Sequence, residues 1–388
     1  MTMPKGPQAF PRTEYLRRLN TVKSEMARRE IEVLVVTAPA NITYLSGYTS
    51  KSGYVPQGLV VSLDDEEPTF ITRRMDGPAA IHQMFINRSH VIGYPETLIA
   101  NPNRDGYDAI IDFILDKGRT RGIGLEAKLL PASTVEKFKY RSMKAKIVDF
   151  THVVAWIRGV KSDLEIGLMR EAAAISDAGM LRAREVIRPG MREADLAAEI
   201  IGTLVRGADG KPGTDVASFF LCSTPRTSTC HIRWTEDVFQ LGSQINLEFS
   251  GVRHGYTSPL MRTMSIGSPS DQITRLHEGE VAGLEAALAA ATTGRTCSDV
   301  AAAFNSTLKK CGFEKESRCG YAVGIDWTEP TASLKEGDIT ILKPNMTFHL
   351  MLGNWIDEDV GYVISETFRV TDVGGEPFTK LPRELFEV

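Results

Sequence analysis

The chain has no run of about 18 consecutive apolar residues, the length a membrane-spanning helix needs. Its opening, Met1-Thr2-Met3-Pro4-Lys5-Gly6, lacks the apolar core of an export signal, so a cytoplasmic location is expected. Cysteine is scarce and one-sided: Cys222, Cys230, Cys297, Cys311 and Cys319 all fall in the C-terminal half. The number is odd and no pair has C-x-x-C spacing, which argues against a disulfide framework and against a cysteine zinc site. Reduced, buried thiols are expected instead. No strand runs into G-x-G-x-x-G or G-x-x-x-x-G-K-[ST], so the usual phosphate-cradling loops are missing. Nor is there an excess of one charge. The 45 basic residues face 49 acidic ones, a net charge of −4, which suits neither nucleic acid nor an anionic membrane as a partner. Repeats and low-complexity tracts are absent too.

What is there is a globular composition, 42% hydrophobic and 24% charged, over 388 residues. That length exceeds one ordinary core, so two domains are expected, 1–157 and 158–388. In the first, amphipathic stretches at 13–29, 75–87, 106–117 and 131–141 predict helices. Short β-branched runs at 31–36, 59–63, 68–72, 91–94 and 122–125 predict strands, with a break at 39–41. Strands alternating with helices indicate an α/β domain. In the second, Ser162 and Glu165 form a capping box that opens a helix to about Val186, stopped by Arg188-Pro189-Gly190. Helices at 193–205, 272–291 and 298–310, and strands at 217–221, 346–351 and 363–370, come in blocks. This predicts an α+β domain with a mostly antiparallel, curved sheet and flanking helices.

The chemistry points to 244–266. Gln244, Asn246, Glu248 and Ser250 alternate with Ile245, Leu247 and Phe249, the pattern of a strand with one apolar face. A turn over 251–255 and a second strand over 260–266 follow. Glu248 is therefore either a solvent-facing glutamate on an edge strand or a carboxylate in a site.

Several segments together resemble the creatinase/prolidase-type, "pita-bread" family of metal aminopeptidases. They are Val35-Val36-Thr37-Ala38-Pro39-Ala40-Asn41 through Tyr48, Arg158-Gly159-Val160-Lys161-Ser162 through Ala173, and Ile187-Arg188-Pro189-Gly190-Met191. The resemblance implies a creatinase-type N-terminal α/β domain, a pita-bread catalytic domain and a homodimer. Peptidases of this fold hold two divalent ions on two Asp, one His and two Glu, and the ions activate a water. Carried over singly, those positions fall on Glu248, Pro259, Tyr321, Met351 and Ser365. Proline has no side-chain donor and a thioether is a poor ligand for hard ions, so the resemblance implies no metal and no other cofactor.

Within the family the chain looks most like ectoine hydrolases. It shares Arg206-Gly207-Ala208-Asp209-Gly210, His231-Ile232-Arg233-Trp234, Gly93-Tyr94-Pro95, Tyr54-Val55-Pro56-Gln57 and Asn345-Met346-Thr347-Phe348-His349 with them, as well as the Tyr and Pro replacements. Tyr256-Thr257-Ser258-Pro259-Leu260 and Asp326-Trp327-Thr328-Glu329 depart from that pattern, which bears on the exact substrate. The implied activity is metal-independent hydrolysis of a small cyclic amidine, ectoine or hydroxyectoine, to an N-acetyl-2,4-diaminobutyrate. The alternatives are a creatinase-like amidinohydrolase of another C–N compound, a non-catalytic binding protein, and a metal-dependent Xaa-Pro aminopeptidase or prolidase. On this reading Glu248 is nucleophile or base, His231 shuttles protons, and Tyr321 offers its hydroxyl to the bound molecule. His349, Trp355, Asp326, Trp327, Tyr54 and Tyr256 are candidate substrate contacts, flat aromatic faces being suited to a flat cation. Each aromatic alone also fits core packing, and Glu366 reads better as a partner for an arginine.

Overall fold

A computed structural model describes residues 3–49, 52–119, 121–358 and 360–388. The chain forms two compact units that divide between Arg158 and Gly159.

The first unit is built from α1 (Arg12–Arg28), β1 (Val33–Val36), α2 (Pro39–Ser46), β2 (Gly58–Ser62), β3 (Thr69–Arg73), α3 (Gly77–Gln83), β4 (Val91–Tyr94), α4 (Gly106–Asp116), β5 (Gly122–Leu125), α5 (Ala132–Arg141), β6 (Lys146–Asp149) and α6 (Val153–Ile157). Its six strands form one mixed sheet in the order β4-β3-β2-β1-β5-β6. The stretch 39–41 does more than interrupt β1. Pro39 opens α2 at the position where no N–H is needed. Ala38 has no capping side chain, and Glu126 supplies the cap from β5: its carboxylate accepts from the Thr37 and Ala38 N–H groups at 2.6 and 2.7 Å. The helix expected over 75–87 is shorter, because Pro78 sets the start of α3 and a 3₁₀ turn fills Arg74–Asp76. The polar edge strand β6 and the short α6 carry too little periodicity to be seen in the sequence.

The second unit runs α7 (Asp163–Val186), α8 (Glu193–Arg206), β7 (Phe220–Ser223), β8 (Gln244–Arg253), β9 (Tyr256–Ser265), α9 (Asp271–Ala290), α10 (Cys297–Lys310), β10 (Gly320–Ala322), β11 (Ser333–Leu334), β12 (Thr347–Ile356), β13 (Val360–Thr371), β14 (Gly374–Pro377) and β15 (Phe386–Glu387). The capping box is present: the Glu165 N–H donates to Ser162 Oγ, and the Ser162 N–H donates to Glu165 Oε2 at 2.8 Å. Two sheets form, β15-β9-β8-β7 and β11-β10-β12-β13-β14, antiparallel but for the β9–β15 pair. Ile245, Leu247, Phe249, Leu260 and Met264 pack with residues of α7 and α8, while Phe348, Leu350, Ile364 and Phe368 pack with residues of α9 and α10. By alternation, Glu248, Met261, His349, Met351 and Ser365 occupy the face turned away from the helices.

The β8–β9 turn is tighter than the sequence suggests. His254 and Gly255, both at positive φ (47° and 88°), make a two-residue turn. Gly251 belongs to the strand instead. A Cβ there would meet the Ala172 carbonyl oxygen at 2.3 Å, so the glycine is needed for contact with α7 and not for turning.

Strands β9 and β13 meet without forming a ladder. The Met261 N–H donates to Ser365 Oγ at 2.7 Å, Thr367 Oγ1 donates to the Pro259 carbonyl at 2.8 Å, and Thr263 Oγ1 donates to the Val363 carbonyl at 3.0 Å. On the helix side Arg262, fully buried, donates to Glu366 Oε1 at 2.9 Å and to the Ser365 carbonyl at 2.7 Å. Glu366 is thus the arginine partner expected. Because this edge of β9 is served by side chains, Pro259 costs it no ladder bond. All five cysteines are free thiols, with Cys230 and Cys311 exposed and not buried as expected.

Replacing Arg262 by Leu removes the fully buried cation from Glu366, whose remaining partners are the partly exposed Arg383 at 3.2 Å and Thr379. The expected loss is about 3 kcal/mol in denaturant unfolding, against about 1–2 kcal/mol for Ser365→Ala, which leaves only the Met261 N–H without its acceptor.

Candidate active site

Glu248 lies in the middle of β8, opposite Phe220 of β7 on one side and Met261 of β9 on the other. Its side chain keeps some exposed surface. The surrounding protein nevertheless strips away most of its hydration, and that burial alone pushes its carboxyl up to about 7, with no cation or donor among the described residues to offset it. A carboxylate in such a place is poised to take a proton or to meet a cation.

The second sheet supplies a phenol, Tyr321, that feels the charge of Glu248. Tyr321 of β10 is paired with His349 of β12, which is paired in turn with Thr367 of β13. The Trp327 Nε1–H donates to the Tyr321 hydroxyl at 2.9 Å, and His349 Nδ1 lies 3.1 Å from the same oxygen. Burial, and then the negative charge of Glu248, raise the Tyr321 pKa, so the phenol stays protonated and within electrical reach of that carboxylate. His349 is completely buried, which brings its pKa down to about 3 and keeps the imidazole neutral. The Trp327 ring stands edge-on to both His349 and Phe220, at 6.4 Å from each.

The five positions that the resemblance equates with metal ligands share the same face of the sheets. Met351 is paired with Ser365, whose hydroxyl already accepts the Met261 N–H, and Pro259 is paired with Ser250. Among the described residues no group of three or more His, Cys, Asp or Glu converges as a metal site would. One carboxylate, a phenol engaged with Trp327, a thioether, a bonded serine and a proline do not make a seat for two divalent ions.

Other expected residues are placed differently. His231 is exposed, in a loop at positive φ (60°), and its ring stands edge-on to Phe220 at 5.3 Å. That phenylalanine is in turn the β7 partner of Glu248. Trp355 uses its indole N–H on the Thr229 carbonyl at 3.1 Å and lies under Lys315 Nζ at 5.6 Å from its ring. Asp326 precedes Trp327 and its carbonyl accepts the Gly324 N–H. Tyr256 is buried and donates to Glu165 at 2.7 Å, which ties it to the start of α7. Tyr54, in the first unit, is 74% exposed and takes a hydrogen bond from Arg73 at 3.3 Å.

Three contributors carried no sequence signal. Phe220 and Met261 become neighbours of Glu248 only through strand register. Glu193, fully buried at the start of α8, accepts from Arg226 at 2.6 Å, from the Thr235 N–H at 2.6 Å and from Thr235 Oγ1 at 2.8 Å, anchoring both ends of the loop that carries His231.

Two sheets with helices on their outward faces make the pita-bread architecture, here with one carboxylate among the five positions that the resemblance equates with metal ligands. Comparison with known proteins agrees: residues 167–372 match metallopeptidase family M24, and 18–160 match the creatinase/prolidase N-terminal domain. The chain belongs to the M24 family. It is 64% identical over 387 residues, 99% of each chain, to an uncharacterized hydrolase/peptidase, y4tL, of Sinorhizobium fredii. It is 34% identical over 392 residues, 97% of this chain and 98% of the other, to the ectoine hydrolase of Halomonas elongata. The X-Pro aminopeptidase of Thermotoga maritima superposes with a TM-score of 0.84 at 21% identity, over 95% of this chain and 99% of that one, a likeness of fold. No helix among the described residues is long and apolar enough to cross a membrane.

Between the ordinary carboxyl value of 4.5 and about 7, the folded protein retains a proton on Glu248 that the unfolded chain has released. The contribution of this group to stability is therefore full below 4.5 and declines as pH rises through 7. Glu248→Gln is expected to remove that decline and, at about pH 8, to be more stable than the parent in denaturant unfolding by on the order of 1–3 kcal/mol.

Proposed function

We propose that the second unit is a metal-independent hydrolase that opens a small cyclic amidine, ectoine or hydroxyectoine, to an N-acetyl-2,4-diaminobutyrate. The observation that carries this reading is the isolation of Glu248: a largely desolvated carboxylate with no cation beside it among the described residues, among side chains that cannot hold divalent ions. An amidinium is planar, cationic and electrophilic at its central carbon, so it meets the needs of such a group. Its charge replaces the missing counter-ion and draws the Glu248 proton off at neutral pH.

The ionised Glu248 then adds to the amidinium carbon, or takes a proton from a water that adds there. Collapse breaks one ring C–N bond and the departing nitrogen gains a proton; on the covalent route water then adds to the acyl carbon and releases Glu248 as a carboxylate, so that on either route water supplies the oxygen of the resulting amide. The edge-on ring of Trp327 and the ring of Phe220 shield the carbon from bulk solvent. The 34% identity to an ectoine hydrolase along nearly the whole of both chains supports the choice of substrate.

Purified protein incubated with ectoine, hydroxyectoine, creatine and a proline dipeptide, with products read by mass spectrometry, tests this. Ring-opened ectoine or hydroxyectoine is expected, unchanged by chelator, with metal content far below stoichiometric. Glu248→Gln is expected to lower kcat by at least about a thousandfold. Near-parental turnover by that variant, or dipeptide cleavage that chelator abolishes, refutes the proposal.

A further inference from the structure

The Tyr321 hydroxyl, expected to face the bound molecule, is engaged by the protein instead. An indole N–H can only donate, so in the 2.9 Å contact with Trp327 the tyrosine oxygen is the acceptor. That contact occupies a lone pair, and the hydroxyl's own proton still needs an acceptor. The acceptor within reach is His349 Nδ1, 3.1 Å away. A neutral imidazole carries one proton, and burial keeps this ring neutral. With Nδ1 accepting, that proton sits on Nε2. Nε2 is itself buried, and no described residue bonds to it. A buried N–H with no acceptor is costly, so a fully buried one on the Glu248 face of the sheet marks where a ligand provides the acceptor.

We infer that Tyr321 is a positioning residue that locks His349 as the neutral Nε2–H tautomer, and that this N–H donates to a carboxylate oxygen of the molecule bound at Glu248. The inference rests on reading the surroundings of Glu248 as the substrate site, and it narrows the ligand class to small zwitterions: a cationic end for Glu248 and an anionic end for His349. A neutral donor suits this division. A lysine or arginine in place of His349 would pair with Glu248 and quench it, whereas an uncharged N–H binds the anionic end and leaves the carboxylate unpaired. The guanidinium of Arg318 is engaged elsewhere: it stacks on the Tyr321 ring at 4.6 Å and donates to Ser333.

Seven histidines are few enough for imidazole nitrogen–proton correlation spectra of the full-length protein, with His349→Gln assigning the signal. The free protein is expected to show His349 neutral and protonated on Nε2 from about pH 5 to about pH 9. Tyr321→Phe keeps the ring but removes the hydroxyl, and is expected to move part of the proton population to Nδ1. Two probes then test the donor. Ectoine carries both charges, and 2-methyl-1,4,5,6-tetrahydropyrimidine keeps the amidinium without the carboxylate. Ectoine is expected to shift the Nε2–H signal and to bind at least about tenfold more tightly than the decarboxylated probe, and His349→Leu is expected to narrow that gap. A proton on Nδ1 in the free protein overturns the inference, as does equal affinity for the two amidines. If neither amidine binds, the proposed substrate is wrong and acetate becomes the probe: a shifted Nε2–H signal upholds the inference and an unmoved one overturns it.

Discussion

The line where β9 meets β13 is the constraint on which the second unit depends. Two sheets have to be joined there, yet Pro259 interrupts the row of N–H groups that a ladder would need. Hydroxyls replace the ladder: Ser365 takes the Met261 N–H, and Thr367 and Thr263 reach backbone carbonyls across the gap. Beneath them Arg262 is held by Glu366 and by the Ser365 carbonyl, out of contact with water. A buried ion pair is weak evidence of stability by itself, but its geometry admits one register, and that register sets which residues face Glu248.

This join also explains the chemistry. In the pita-bread peptidases, as the resemblance implies, the positions of Pro259 and Ser365 carry carboxylates that hold ions. Here one residue offers no donor and the other is a structural hydroxyl. Without cations held by such carboxylates, Glu248 has no positive charge beside it among the described residues, and its low-polarity surroundings raise its affinity for a proton. The same surroundings keep His349 neutral and Tyr321 protonated. The site therefore favours a ligand that arrives with its own positive charge.

Much of this was legible in the order of residues. The alternation of Gln244 to Ser250 placed Glu248 on the face opposite the apolar residues, and strand alternation separated Glu366 from Ser365 onto the face where Arg262 waits. The capping box at Ser162 and the helices of the second unit were equally plain, because capping and amphipathic periodicity are local properties. Gly251 misled, since a glycine required for close approach to α7 carries the same letter as one required for a turn. The short helix after Pro39 was hidden because its cap comes from Glu126, far along the chain.

Sequence by itself determined the family, the two-part organisation and the survival of a single acidic group among the former ligand positions, because side-chain chemistry and strand periodicity are properties of neighbours along the chain. Tertiary structure decided the rest: that Glu248 is largely desolvated, that the hydroxyl of Tyr321 belongs to Trp327 and His349, that His231 is exposed, and that Tyr256 is tied to Glu165. Each of these depends on which distant segments are brought together, and hydration and hydrogen-bond partners exist only once those segments have met.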